Sequence, residues 1–263
     1  MEEALGQRVK LLRESLGLSQ ENLSKILTMD RSCLSSIENG RRELKAHELR
    51  QLSDAFSISI DELLDIRIPL EVVLEHAENS SGRESGMRVS VPAKNVEKFK
   101  EALLYILGKV GAMPNVGETV LYKLLYFIDF DYYEKYEEQL IGATYIKNNY
   151  GPTPVEFKAI VDKMIANEEV EAVDSKYYER PQKKYLPLRE PDISVFSANE
   201  IKLIDEVLQR LSGMNAAAIS EYSHRDVPWI VTPDKQQIDY ESVFYRTPEY
   251  SVREYPDDGI QSS

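Results

Sequence analysis

The sequence predicts a mainly α-helical protein with small β elements: an N-terminal five-helix unit, a β-hairpin linker and a C-terminal α+β unit. Two observations predict this class. Residues 1–66 contain only short segments in which apolar residues recur at helical spacing. Residues 93–250 combine long amphipathic segments with short alternating ones. The length of 263 residues fits one or two domains.

The composition is that of an ordinary globular protein, with 42% hydrophobic and 29% charged residues. A single cysteine excludes an internal disulfide and a cysteine-based zinc site. No apolar run approaches the ~20 residues that span a bilayer, and the sequence MEEALGQRVK lacks the apolar core of a signal peptide. We therefore expect a cytoplasmic protein with no membrane partner.

The charge is unevenly divided along the chain. Residues 1–66 carry 9 basic and 12 acidic side chains, a net charge of −3, which leaves −10 of the total −13 to residues 67–263. Such acidity disfavours nonspecific coating of nucleic acid. The larger C-terminal part is therefore expected to bind a basic protein rather than DNA.

Five short helices are predicted in residues 1–66. Leu5, Val9 and Leu12 form one apolar face, and Gly17 ends that helix. Ser19 and Asp30 are positioned to cap the second and third helices. The remaining apolar stripes are Leu23, Ile26 and Leu27; Leu34 and Ile37; Leu49, Leu52 and Phe56; and Leu63 and Leu64.

Residues 67–92 change in character. RIPLEVVLEHA is rich in β-formers, ENSSGRESG is polar, and MRVSVP alternates apolar and polar residues. We interpret this segment as a β-hairpin with a long loop, or alternatively as an extended linker. A hairpin here offers one route to a dimer, through strand pairing.

The domain assigned to residues 93–250 contains helices and short strands. VEKFKEALLYILGKVG, GETVLYKLLYFIDFDYYEKY, VEFKAIVDKMIANEE, NEIKLIDEVLQRL and NAAAISEYSH have helical patterns. ATYIKNNYGPTP is predicted as a short strand that runs into a Gly-Pro turn. EVEAVDSKYY and KKYLPL, separated by ERPQ, predict a small hairpin. The last thirty residues are expected to be irregular, with a tail at 251–263.

A helix-turn-helix pattern occupies residues 18–44. Thr28, Met29 and Asp30 form the turn between two short helices, the second of which would enter the major groove. The residues expected to contact phosphates or bases are Gln20, Arg31, Ser32, Ser35, Ser36, Asn39, Arg41 and Arg42. Serine reads base sequence weakly, so Arg31 is expected to supply much of the discrimination.

SQENLSKIL, SSIENGRREL and SISIDELL together resemble the lambda-repressor-like (Cro/C1, XRE-type) DNA-binding domain over residues 4–66. The resemblance implies a domain that binds operator DNA as a dimer. The alternative is a helical bundle that kept the fold without DNA binding. Cys33 lies on the recognition helix, where we interpret it as a small packed residue rather than a redox sensor.

The sequence predicts no catalytic, metal or cofactor site. It contains no HExxH motif, no phosphate-binding glycine loop and no Cys/His ligand set. His224 lies close in sequence to Asp226, Ser220 and Ser223, but catalytic triads are assembled from distant segments. We interpret His224 as a helix-end residue that is hydrogen-bonded near Trp229. An enzyme that uses His224 and Asp226 stays open as an alternative.

Seven tyrosines lie between residues 122 and 150, among carboxylates. Exposed tyrosines in such surroundings are typical of protein interfaces. The alternative is that the tyrosines line the core of a small domain and keep their hydroxyls in water.

VGETVLYKLLYFIDFDYYEKY, TYIKNNYGPTPVEF and SEYSHRDVPW resemble the Panacea (SocA-like, phage-associated) domain over roughly residues 96–250. The resemblance implies an antitoxin that neutralises the protein toxin of an adjacent gene by direct contact, in some members by delivering it to a cellular protease. The expected toxin-binding residues are Tyr126, Asp129, Tyr145, Tyr150, Pro152 and Trp229, with Gly151-Pro152 alternatively a turn former.

The leading hypothesis is a type II antitoxin that also represses its own operon through the N-terminal domain. The alternative is a prophage-type transcriptional repressor whose C-terminal domain senses a ligand or mediates dimerisation.

Overall fold

The computed structural model describes residues 2–16, 18–56, 58, 60–64 and 93–253. The hairpin or linker predicted at 67–92, and the tail from residue 254 onward, lie outside the described residues. Within them the chain is mainly helical and carries two small antiparallel sheets, which confirms the predicted fold class. No helix in these segments is long and apolar enough to cross a membrane.

The N-terminal unit contains five short helices, as predicted. Val9, Leu23, Leu34 and Leu52 are among the apolar side chains that form its core, and each is fully buried. Their spacing places one apolar face of each helix inside the unit. The helices are α1 (Glu2–Ser15), α2 (Gln20–Ile26), α3 (Arg31–Glu38), α4 (Ala46–Phe56) and α5 (Ile60–Leu64).

Local polar groups begin the helices and set the turn. The Ser19 hydroxyl accepts a hydrogen bond from the Asn22 amide at 3.0 Å, so Ser19 caps α2 as predicted. Asp30 occupies the same position before α3, but its side chain makes no capping bond. Thr28, in the turn, has a φ of +50°, which allows the chain to reverse between α2 and α3.

The C-terminal unit is built around one central helix. Apart from a few positions, this helix is buried on all sides, which is why its sequence shows little amphipathic patterning. The helices are α6 (Ala93–Val110), α7 (Glu118–Tyr136, the central one), α8 (Phe157–Ala166), α9 (Ala198–Leu211), α10 (Ala216–His224) and α11 (Val227–Val231), with 3₁₀ helices at Ile193–Val195 and Tyr240–Tyr245.

Two hairpins pack against these helices. β1 (Tyr145–Asn148) pairs with β2 (Gly151–Pro154), and β3 (Val170–Tyr177) pairs with β4 (Arg180–Pro187). Both hairpins were expected to turn one to three residues later than they do. In the structure, two-residue turns occupy 149–150 and 178–179, and Gly-Pro begins β2. Gly151, directly after the first turn, has a positive φ of +100°, and Tyr178, inside the second turn, has a φ of +46°.

The two units touch through α2 and α4. α2 lies against the 3₁₀ helix at Ile193–Val195, and α4 lies against α9. α3 packs on α1 and α2.

Candidate functional site

The helix expected to read DNA presents a small polar face. Leu34 and Ile37 anchor α3 in the core. Arg31 and Ser32 are exposed, whereas Ser35 and Ser36 are half-buried. This arrangement suits insertion of the helix into a major groove, because the polar side chains lie opposite the anchoring residues.

Hydrogen bonds within α3 occupy part of this polar set. The Ser36 hydroxyl donates to the Ser32 carbonyl at 2.9 Å, and the Asn39 amide nitrogen donates to the Ser35 carbonyl at 2.7 Å. The Asn39 side chain therefore binds a carbonyl of the last turn of α3, and its amide oxygen stays available for other contacts. The Ser36 hydroxyl retains only acceptor capacity, so it suits a base or backbone donor rather than a phosphate.

A buried ion pair that the sequence analysis missed positions Gln20. Arg13 donates to both carboxylate oxygens of Glu38, at 2.6 and 3.1 Å, and both side chains are almost fully buried. Arg13 also donates to the Leu18 carbonyl, and the Gln20 amide nitrogen donates to Glu38 at 2.8 Å. This bidentate pair ties α1 to α3 and fixes the start of α2. The 25-residue separation gives no local sequence signal.

The two arginines of the loop after α3 differ in role. Arg41 is exposed, as a phosphate contact requires. Arg42 instead donates to Glu48 at 2.7 Å, and Glu48 also accepts from the Lys45 amide at the start of α4. Burial favours a raised pKa for Glu48, but these hydrogen bonds outweigh it and lower the pKa. Arg42 therefore holds the loop in place, with only part of its guanidinium available to DNA.

The predicted toxin-binding surface is wrong for four of its six residues. Tyr126, Asp129 and Tyr145 are fully buried, and Pro152 is buried in β2. The aromatic segment of α7 runs through the middle of the domain, so its tyrosines face neighbouring helices and β1. These residues determine the fold and cannot touch a partner directly.

Asp129 organises the loop that follows α7. Its carboxylate accepts hydrogen bonds from the amides of Ile141 (2.7 Å), Gly142 (3.1 Å) and Ala143 (3.3 Å). The hydroxyl of Tyr145 donates to it at 2.9 Å. Burial raises the pKa of Asp129, opposed by these donors.

A second buried network joins α7 to the segment after α10. Arg246 is 8% exposed and donates to Asp131 (2.7 Å), Glu134 (2.8 Å) and both oxygens of Asp226 (2.9 and 2.7 Å). The Tyr126 hydroxyl donates to Asp226 at 2.9 Å. Asp226 is thus occupied by Arg246 and Tyr126, which places it in a structural network rather than beside His224.

The remaining two predicted residues lie at the surface. Tyr150 is 79% exposed at the tip of the β1–β2 hairpin. Trp229 is half-buried, its ring stacks on His224 with 4.2 Å between centroids, and the Lys147 ammonium lies 4.1 Å from its centroid. His224 lies near Trp229 at the end of α10, as expected, but the contact is ring stacking and Nε2 of His224 has no hydrogen-bond partner among the described residues. Hairpin and α11 therefore form one face of the domain.

Two family models match the chain. The model described as "Antitoxin SocA-like, Panacea domain" matches residues 121–230, and a helix-turn-helix domain model matches residues 6–65. Among curated proteins, "Control protein C.MunI" from Mycoplasma sp is 39% identical over 59 residues, which are 22% of this chain and 80% of the relative. No solved structure matches significantly.

These matches cover the two surfaces described above. The helix-turn-helix match begins within α1 and extends past α5, and the Panacea match begins within α7 and ends within α11, at Ile230. The chain therefore belongs to the XRE-type helix-turn-helix proteins through its N-terminal domain and carries a SocA-like Panacea antitoxin domain at its C-terminus.

Proposed function

We propose that this protein is the antitoxin of a type II toxin–antitoxin system, which binds and neutralises a protein toxin encoded by the adjacent gene and represses its own operon from the cytoplasm. The observation that carries the proposal is the joining, in one chain, of a helix-turn-helix domain and a SocA-like antitoxin domain. DNA binding and toxin binding are then two activities of one molecule.

For the DNA activity, we propose that Arg31 contacts bases and Arg41 contacts phosphate. Both side chains are exposed, and no ion pair with another described residue occupies either of them. The domain's net charge of −3 gives weak nonspecific affinity. A homodimer on a two-fold operator would double the contacts and supply the missing strength.

For the toxin activity, we propose a contact face at the β1–β2 hairpin tip and α11. Tyr150 (79% exposed), Ile230 (53%), Val231 (61%) and Tyr245 (78%) are its large exposed side chains. α11 packs on the 3₁₀ helix that carries Tyr245, and Lys147 of β1 donates to the Thr232 carbonyl just after α11. Large aromatic and aliphatic side chains that are exposed together are typical of protein interfaces.

The experiment is a growth assay in which the full chain is co-expressed with the neighbouring gene product, together with a reporter under the operon's promoter. We expect the Arg31→Ala/Arg41→Ala variant to rescue growth but release the reporter. We expect Tyr150→Ser to lose rescue but keep repression. Tyr178→Ser is the matched control, since Tyr178 is an equally exposed tyrosine (83%) at the turn of the other hairpin.

Several outcomes would contradict the proposal. If the neighbouring gene product is harmless, the protein has no toxin to neutralise there. If Tyr150→Ser and Tyr178→Ser rescue growth equally, the toxin-contact face is misassigned. Rescue that requires a host protease would be consistent with the proposal and would show that the toxin is delivered for degradation.

A second candidate is a transcriptional regulator without a toxin, favoured by the similarity of residues in the N-terminal domain to a control protein. In that case the C-terminal domain would sense a ligand or mediate dimerisation. Operator binding that responds to a metabolite, with no growth phenotype from the neighbouring gene, would support it.

We assign the chain no enzymatic role. Supporting this, Ser223 donates to the Ser220 carbonyl and Asp226 is bound to Arg246, so neither is paired with His224. Turnover of a small molecule that His224→Ala abolishes without unfolding the protein would contradict this assignment.

A further inference from the structure

Buried side-chain nitrogen atoms without hydrogen-bond partners lie where α7, α10 and the β1–β2 hairpin meet. Lys123 of α7 is only 1% exposed, and no hydrogen bond or ion pair joins it to any residue that the structure describes. In the same part of the chain, Nε2 of His224 and Nε1 of Trp229 are buried without a hydrogen-bond partner. Buried polar groups are normally paired, so three such groups together require an explanation.

The three side chains share one neighbourhood. A Cβ atom placed on Gly151 would lie 2.8 Å from Cε and 3.3 Å from Nζ of Lys123, and 2.6 Å from the Ser223 hydroxyl, the residue before His224. His224 stacks on Trp229. Burial, and then the positive charges of Lys123 and Lys147, lower the pKa of His224. The glycine at 151 thus leaves room for the lysine end beside α10.

The domain treats its other deeply buried cation differently. Arg246 is faced by the three carboxylates of Asp131, Glu134 and Asp226. Among the described residues no carboxylate faces Lys123, whose ammonium group lies 5.9 Å from the centre of the Tyr122 ring. Burial lowers the pKa of Lys123 to about 7. A buried ammonium group of this kind is costly unless a negative partner approaches it.

We propose that Lys123, His224 and Trp229 form a binding site for a carboxylate group, which completes the hydrogen bonds and charge pairing that the folded domain leaves open. A carboxylate has two oxygens, which match an ammonium group and a planar N–H donor side by side. A more highly charged anion is disfavoured by the net charge of −10 on residues 67–263.

The site lies beside the proposed toxin-contact face. His224 and Trp229 are half-buried, although their unpartnered Nε2 and Nε1 atoms are buried, and Lys123 is almost fully buried. Tyr150, next to Gly151, stands exposed at the rim. The carboxylate has two sources: an acidic side chain or C-terminus of the bound toxin, or a free small carboxylic acid. The first source rests on the proposed function, and the second does not.

The first experiment uses the full chain and needs no partner. Trp229 is the only tryptophan, so its emission reports on the site. We expect sodium acetate, exchanged against sodium chloride at constant ionic strength, to change that emission saturably, with a midpoint on the order of millimolar. Lys123→Met should raise the midpoint at least tenfold, as should His224→Gln. Lys163→Met, an exposed lysine on α8, should leave it unchanged.

The second experiment identifies the source of the carboxylate. If Lys123→Met also weakens neutralisation at least tenfold, the ligand is a carboxylate of the toxin. If neutralisation is unchanged while the acetate response is lost, the ligand is a small acid. The inference is overturned if the wild-type chain shows no saturable acetate response, or if Lys123→Met responds as the wild type does. Neutralisation by the wild-type chain tests the proposed function separately.

Discussion

Replacing Lys123 with methionine should stabilise the protein. Lys123 is 1% exposed, and burial lowers its pKa from the ordinary 10.5 to about 7. At about 1.4 kcal/mol per tenfold change in proton affinity, this difference corresponds to about 4–5 kcal/mol of destabilisation while the side chain is protonated in both states. Methionine has a similar length and no charge, so Lys123→Met should recover about 2–4 kcal/mol at pH 6.

The pH dependence gives the sign of this effect. Between pH 7 and pH 10.5 the unfolded chain keeps the proton that the folded chain has released, so the free energy of unfolding rises with pH. Lys123 alone should contribute about 2 kcal/mol of that rise between pH 7 and pH 9. The penalty is complete below pH 7 and vanishes above pH 10.5, so the advantage of Lys123→Met should shrink as pH rises.

The assay is denaturant unfolding of both chains between pH 6 and pH 10, in carboxylate-free buffer, followed by Trp229 emission. Lys163→Met, an exposed substitution of the same kind, is the control and should change little. The reasoning is refuted if Lys123→Met is less stable than the wild type at pH 6, or if the two chains have parallel pH profiles.

Three further predictions follow from single contacts. Gly151→Ala should lower the free energy of unfolding by about 2–5 kcal/mol, because φ is +100° and the new methyl group would meet two side chains at under 3 Å. Thermal unfolding measures this loss, and an unchanged midpoint would contradict the close approach. Arg246→Met should cost about 3–5 kcal/mol at pH 7, because it leaves Glu134 and Asp226 without a described cationic partner and leaves Asp131 with Arg210 alone; the loss should be smaller at acidic pH. Equal losses at both pH values would be inconsistent with uncompensated charge. Arg31→Ala should weaken operator binding by about 1–3 kcal/mol and relax sequence specificity, whereas Arg41→Ala should mainly reduce the slope of log affinity against log salt by about 1. Binding isotherms at several salt concentrations test both predictions. If both variants bind the operator with wild-type affinity, the DNA site lies elsewhere.

Much of the N-terminal fold could be predicted because its information is local. Apolar spacing, a serine cap and the turn at residues 28–30 each act within a few positions. The polar pairs could not be predicted. Arg13 meets Glu38 across 25 positions, and Arg42 is held by Glu48, so both depend on how the helices pack.

The C-terminal site could be predicted only in part, because burial of a central helix is a property of the whole domain. Tyr126 and Asp129 look like interface residues in the sequence, since aromatic and acidic side chains also occur at interfaces. Elements that are distant in sequence cover α7, and the Asp129 carboxylate accepts hydrogen bonds from the backbone amides of residues 141–143. Tyr150 stays exposed because it lies in a two-residue turn that no described element covers.

We propose that the toxin-contact face, at the β1–β2 hairpin tip and α11, binds the protein encoded by the adjacent gene. The most direct measurement is the affinity of the purified full chain for the neighbouring gene product, compared between wild type, Tyr150→Ser and Tyr178→Ser. We predict a complex that Tyr150→Ser weakens at least tenfold and Tyr178→Ser leaves intact. No complex with the wild-type chain, at micromolar concentrations of both proteins, would contradict the claim.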